Sequence, residues 1–310
     1  EEWIAQSMMK YIEMGILVYY RTTEPAYYRR SHSRNMVFRL AEGEVVCNLD
    51  ADNYLGRGFA EFMLKEFNNK ERLFYTSNLC YRDVFGRVCL ERKEFVEARG
   101  YNEVFVGYGL EDVEFFNRLL CRGLVQEIFN QKEFYNVLMH ADEERIAQEF
   151  LLKKLQSVYL DYINPYSTRV LMLYKGQRFG IGVIQNNIAM NYNHPDESDM
   201  LCIGDKYRLV IKGEWKEGIW DEMENGIRLN FKDEEMILRN KSNCLYDFNH
   251  QYYKVKDANL IVVIVMGVTE AINYLKMKKM DNDCKTVNPN GFGQGIVYRN
   301  FDYTNKILLA

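Results

Sequence analysis

In the first half of the chain, short apolar runs alternate with stretches of helical periodicity. Residues 16–20 are strand formers followed by a turn-like stretch that ends at Pro25. Met36, Val37 and Leu40 share one side of a helix over 31–41, which Gly43 ends. Residues 44–49 read as a buried strand running directly into Asp50-Ala51-Asp52-Asn53. The same pattern predicts helices over 58–67 and 92–99 and strands over 73–76 and 88–90. After a break at Gly100-Tyr101-Asn102-Glu103, a helix over 111–121 carries the stripe Val113, Phe116, Leu119 and Leu120 and closes at Gly123. Such alternation implies an α/β fold, a mostly parallel sheet covered by helices on both faces. Ligands bind at the carboxyl ends of the strands in such sheets, where Asp50 and Asp52 fall.

The character changes after about residue 155. Short alternating stretches at 170–174, 179–184, 207–212, 226–231, 236–239 and 260–265 are separated by Lys175-Gly176, Lys212-Gly213 and Asn225-Gly226, all turn signals. This region reads as all-β. A helix over 270–280 follows, and then the Gly/Asn-rich loop 288–295. The expected organisation is a core over 1–159, a small β-rich insertion domain over 160–266, and a tail over 267–310 that returns to the core.

Composition narrows the function. Hydrophobic residues make up 47% and charged residues 27% of 310, which excludes a chain disordered throughout. A net charge of −4 gives no electrostatic footprint for nucleic acid, so an anionic ligand must be held locally by a metal, a helix end or a few Lys and Arg. The seven scattered cysteines contain no CxxC, which favours a reducing compartment over a disulfide framework or zinc site. The longest apolar run, 260–268, falls short of the ~18 residues of a membrane span. The 23 Tyr and 18 Phe suit either an aromatic core or sugar-binding surfaces. Trp215, Trp220, Tyr252 and Tyr253 leave the same two readings open.

Two aspartates one residue apart at a strand end can hold Mg²⁺ or Mn²⁺ through hard oxygen ligands, leaving positions open for phosphate oxygens. Taken alone, such a pair more often caps its own turn. Context separates the two. Ser31-His32-Ser33-Arg34-Asn35, then Ala41-Glu42-Gly43-Glu44, then Asn48-Leu49-Asp50-Ala51-Asp52-Asn53 resembles the nucleotide-sugar-binding core of GT-A glycosyltransferases of the family 2 type. A second block, from Gly100-Tyr101-Asn102-Glu103 through Gly107-Tyr108-Gly109-Leu110-Glu111-Asp112 to Arg118, is similar to the signature of β-1,4-galactosyltransferases and their bacterial relatives.

This resemblance, over roughly 14–140, implies a GT-A-like, Rossmann-like core. It implies that Asp50 and Asp52 bridge a nucleotide diphosphate through Mn²⁺ or Mg²⁺, with His140 as a third metal ligand. Asp112 takes the place of the base and Glu111 that of an acceptor contact. Tyr108, flanked by Gly107 and Gly109, takes the place of a sugar-stacking tryptophan. Arg34 and Asn35 approach the nucleotide or cap a helix. The resemblance also implies an N-terminally incomplete core, because the chain starts without Met and enters by a helix over 1–14.

The residues agree on physical grounds. Asp112 in the first turn of a helix is favoured as the anion by the macrodipole. Glu111 points about 100° away and cannot share its task. His32, His194 and His250 lack ligand-spaced partners and read as surface or hydrogen-bonded histidines. The expectation is a metal-dependent inverting transferase that moves a Gal or GalNAc-type hexose from a UDP-sugar donor to a glycan acceptor. Its setting would be bacterial surface polysaccharide synthesis in the cytoplasm, with peripheral association at the inner membrane face. The alternative is a non-catalytic carbohydrate-binding or scaffold protein on a degenerate transferase fold.

Overall fold

The computed structural model describes residues 1–78, 84–139, 141–186, 209–280 and 287–310. The chain divides into two compact units, one of Glu1–Phe105, Glu111–Met139 and Asn282–Ala310, the other of Val106–Leu110 and His140–Asp281.

The first unit runs α1 (Glu2–Glu13), β1 (Tyr20–Glu24), α2 (Arg30–Leu40), β2 (Val45–Asn48), α3 (Phe59–Asn69), β3 (Leu73–Thr76), β4 (Val88–Glu91), α4 (Arg92–Glu97), α5 (Glu111–Cys121) and β5 (Val125–Ile128). Its central sheet has the order β2-β4-β3-β5. The mostly parallel, Rossmann-like sheet expected from the sequence is not what forms: β4 is antiparallel to both β2 and β3, and only β3 and β5 run parallel. Periodicity could not reveal this, because strands covered on both faces read as continuous apolar runs whatever their direction. Phe74, Val88 and Leu90 pack on one face with Phe38 of α2, Phe95 of α4 and Phe115 and Phe116 of α5. Leu73, Tyr75 and Cys89 pack on the other with Phe59 and Met63 of α3. The tail adds β14 (Gly295–Arg299) and β15 (Asp302–Leu309), which form a separate antiparallel sheet with β1.

The second unit contains α6 (Asp142–Ile146), α7 (Phe150–Lys154), β6 (Leu155–Asn164), β7 (Ser167–Tyr174), β8 (Arg178–Asn186), β9 (Leu209–Met223), β10 (Gly226–Asn230), β11 (Glu235–Lys241), β12 (Cys244–Tyr246), β13 (Gln251–Lys254) and α8 (Ala258–Lys279). These eight strands meet their sequence neighbours antiparallel, and β13 returns to β6, so the all-β stretch closes as an up-and-down barrel with no free edge. Alternation along β7 sorts its side chains: Leu171 and Leu173 pack with Phe179, Ile181, Trp220, Leu238 and Tyr252, whereas Val170 and Met172 pack under Val262, Val265 and Met266 of α8. Trp215 lies on Gly180 and Gly182, whose missing side chains make room for its indole. Trp220 and Tyr252 are therefore core residues, Trp215 packs half-buried against the core, and Tyr253 is exposed.

The strand expected over 260–265 is instead the start of α8. A short apolar run cannot be told from a buried helix by periodicity. The Asp257 side chain decides the matter by accepting the Leu260 N–H at 2.8 Å and capping the helix. By length and composition α8 could cross a membrane, but its Val262, Val265, Met266, Val268 and Ala271 are buried in the core of the second unit, and no membrane span is shown. Replacing Asp257 by Ala should lower stability by about 1 kcal/mol, measured as a shift of the urea midpoint at unchanged slope.

Candidate active site

Helix α2 carries Arg34 into the first unit, where its side chain is 7% exposed. Arg34 Nη1 donates to Asp112 Oδ1 at 2.8 Å and to Glu111 Oε1 at 3.5 Å, and Nη2 to Asp50 Oδ1 at 3.3 Å. The guanidinium also lies 5.3 Å from the centre of the Tyr101 ring. One turn earlier on the helix, Arg30 reaches Glu111 Oε1 at 3.4 Å. The strand-end aspartate of β2 and the acidic first turn of α5 are thus joined through a single buried cation. Asp112 is 11% exposed while the Asp50 side chain is 38% exposed, so the cluster opens to solvent at Asp50.

Burial opposes the charge on Arg34, and Asp112, Asp50 and Glu111 more than restore it, so its pKa rises. Burial also dominates at Asp112. Arg34 pulls its pKa down, Glu111 and Asp50 push it up, and the carboxyl is pushed up to about 7. That is the range of a base that can take a proton near neutral pH.

One loop sets α2 and α5 against each other. Asn35, fully buried, donates to Tyr101 O and to Glu103 Oε1, both at 2.8 Å, and accepts from Tyr101 N at 2.7 Å. Its amide is therefore engaged with the 101–103 loop and not with the acid cluster. Arg118 of α5 donates to Gly100 O at 2.6 Å. Gly100 has φ +64°, and a Cβ there would lie 2.4 Å from Asn35 Oδ1, so the close approach requires glycine. The tail locks the same loop: Asn288 donates to Arg99 O and Tyr101 O, and Gly293 N donates to Glu103 Oε1. His32 bonds Glu103 Oε2 at 2.8 Å.

Asp52 takes a separate course. Its Oδ1 accepts from Asn53 Nδ2 at 2.8 Å, and its carbonyl accepts from Leu138 N. Asn53 in turn accepts from Arg87, a fully buried arginine that the sequence reading missed. Arg30 and Gly86 were missed as well. Arg30 alone left a signal, its i,i+4 spacing from Arg34 on one helix face.

Gly107, Tyr108 and Gly109 belong to the second unit. There Tyr108 N donates to Thr269 Oγ1 at 3.1 Å, and Asn273 donates to Gly109 O at 3.0 Å. Gly107 has φ +79°, and a Cβ there would come within 2.7 Å of Thr269. Tyr108 is half-buried against the core under α8. His140 lies outside the described residues. Among the described residues no three His, Cys, Asp or Glu gather at metal-binding distance.

Residues 74–141 match a family model described as the N-terminal domain of galactosyltransferase. The matched stretch contains Glu111 and Asp112 and both glycines around Tyr108. It supports a galactosyltransferase-like glycosyltransferase, an enzyme that moves sugar from a donor to an acceptor. No curated protein and no solved structure matches the chain.

The raised Asp112 pKa carries a sign for stability. Between about pH 4 and 7 the unfolded chain has released a proton that the folded chain keeps, so this group's contribution to stability is full at low pH and falls as pH rises towards 7. Asp112→Asn, uncharged throughout, should therefore gain stability relative to the wild type between pH 4.5 and pH 8, as read from urea midpoints with no divalent ion added. Arg34→Gln removes the cation that Asp50, Glu111 and Asp112 share, leaves Asp112 protonated at neutral pH and should cost roughly 3 kcal/mol in the same assay.

Proposed function

We propose that this chain is a metal-dependent inverting glycosyltransferase that moves a galactose- or N-acetylgalactosamine-type hexose from a nucleotide diphosphate donor to a glycan acceptor. The observation that carries the reading is the joining of Asp50 and Asp112 through Arg34, which brings the carboxyl end of β2 to the amino end of α5. An inverting displacement needs a base on one side of the anomeric carbon and stabilisation of the departing diphosphate on the other.

Asp112 suits the base: its pKa is pushed up to about 7 and it is held at the first turn of α5. In the step, the acceptor hydroxyl oxygen bonds to the anomeric carbon while the bond from that carbon to the diphosphate oxygen breaks. The bonding pair leaves with the diphosphate, and the hydroxyl proton passes to Asp112. Glu111, held by Arg30 and Arg34, lies beside it as the acceptor contact.

Asp50 and Asp52 are the donor set for Mn²⁺ or Mg²⁺. Two carboxylates from the protein are few for a closed metal cage. They suit a hard ion that keeps waters and shares its remaining positions with substrate phosphates, and the exposure of Asp50 gives such a ligand access. When bound, the ion would offset the charge developing on the leaving diphosphate. Asp50 and Asp52 would hold it, and Arg34 keeps Asp50 turned towards the base. We expect the setting to be surface polysaccharide synthesis in a bacterium.

Incubation with UDP-galactose or UDP-N-acetylgalactosamine, Mn²⁺ and a panel of glycan acceptors should release UDP. Chelation should remove the activity, and Asp52→Ala and Asp112→Asn should lower turnover by a factor of about 10² or more. Full turnover in Asp112→Asn would sink the base assignment. Glycan binding without turnover by the wild type would favour a non-catalytic carbohydrate-binding protein instead.

A further inference from the structure

Because β2 and β4 are antiparallel, with Asn48 opposite Val88, the exit of β2 lies beside the entry to β4. After β2 come Leu49 and then Asp50 to Asn53, and the two residues that precede β4 are Gly86 and Arg87. Asn48 Nδ2 pins the two segments together by donating to Gly86 O at 2.9 Å.

Arg87 is 1% exposed. Its Nη2 donates to Asn53 Oδ1 at 3.1 Å and to Tyr54 O at 3.2 Å, and its Nη1 donates to Phe134 O. Asn53 passes the constraint on through its Nδ2, which donates to Asp52 Oδ1 at 2.8 Å. The backbone of the same loop is held by Tyr54 N to Asn136 O and Leu138 N to Asp52 O. Gly86 works by absence. A Cβ at this position would lie 2.9 Å from Arg34 Nη2, 3.1 Å from Asp112 Oδ2 and 3.5 Å from Asp50 Oδ2. The two carboxylates and the guanidinium therefore face one small volume that only glycine leaves open.

We propose that Gly86-Arg87 is the positioning element of the site, in which Arg87 orients Asp52 through Asn53 and Gly86 keeps clear the space that Asp50 and Asp112 share. Two of the Arg87 acceptors, Tyr54 O and Phe134 O, are backbone carbonyls that fix the loop, and the third, Asn53 Oδ1, leads to the Asp52 carboxylate. The geometry of the Asp52 carboxylate is what the arginine secures. This inference rests on the transferase reading above.

The test is calorimetric binding of UDP in the presence of Mn²⁺ to the full chain and to Arg87→Lys, Asn53→Ala, their double variant and Gly86→Ala, with thermal midpoints recorded for each. Arg87→Lys keeps the charge and loses the fork. It and Asn53→Ala should each weaken Mn²⁺-dependent UDP binding about tenfold, as outer-shell changes at metal sites do. The double variant should be no worse than either single one, because both break one relay. Gly86→Ala should lower kcat more than it raises the KM for donor, since it displaces the base. Wild-type binding that all the variants retain, or single effects that simply add, would overturn the positioning role alone. A wild-type chain that binds no UDP with Mn²⁺ would overturn the transferase reading and this proposal together. Should Arg87→Lys fail to fold, Asn53→Ala and Gly86→Ala still decide.

Discussion

A guanidinium buried among three carboxylates organises the first unit. Removing Arg34 and Asp112 from water is expensive, and the structure tolerates it because each neutralises much of the other's field. The arrangement leaves a surplus of acid, with Asp50, Glu111 and Asp112 facing Arg34 and Arg30. The solvent-facing member of this cluster is the aspartate at the strand end, Asp50. Burial above all, helped by Glu111 and Asp50, holds the proton on Asp112 to an unusually high pH.

Maintaining this cluster requires α2 and α5 to keep their positions to within a hydrogen bond. The 99–103 loop does so by bonding Asn35 on one side and Arg118 on the other. Residues from the end of the chain complete the brace, since Asn288 and Gly293 bond the same loop. The packing beneath is aromatic: Phe38 stacks on Phe95 at 4.3 Å and Tyr101 lies 4.5 Å from Phe115. Much of the aromatic richness of the chain is therefore interior, around the polar site.

The reversed strand β4 has a chemical consequence. In an all-parallel sheet the entry to one strand lies at the opposite edge from the exit of its neighbour. Here the exit of β2 and the entry of β4 coincide, so Gly86 and Arg87 share the edge that carries Asp50 and Asp52. Residues far apart in the chain meet at the site because one strand runs against the others.

Local pattern alone determined a good deal. The strand Leu73–Thr76 and the helix Glu111–Cys121 form where periodicity and the Gly123 stop signal put them, because each depends on contacts made within a few residues. Asp50 could be singled out from its place at a strand end, whereas Asp112 and Arg34 were named through the resemblance of their motifs to a transferase family. Strand direction and barrel closure were decided only in three dimensions, while the helical state of 258–265 rests on the Asp257 cap and on packing against the barrel. Continuous apolar runs look alike in parallel strands, antiparallel strands and buried helices, and they differ only in what lies beside them. Gly86 and Arg87 were invisible in the sequence on the same account. A glycine matters through the atoms that crowd its missing side chain and a buried arginine through its acceptors, and those neighbours were supplied by the antiparallel pairing of β2 with β4.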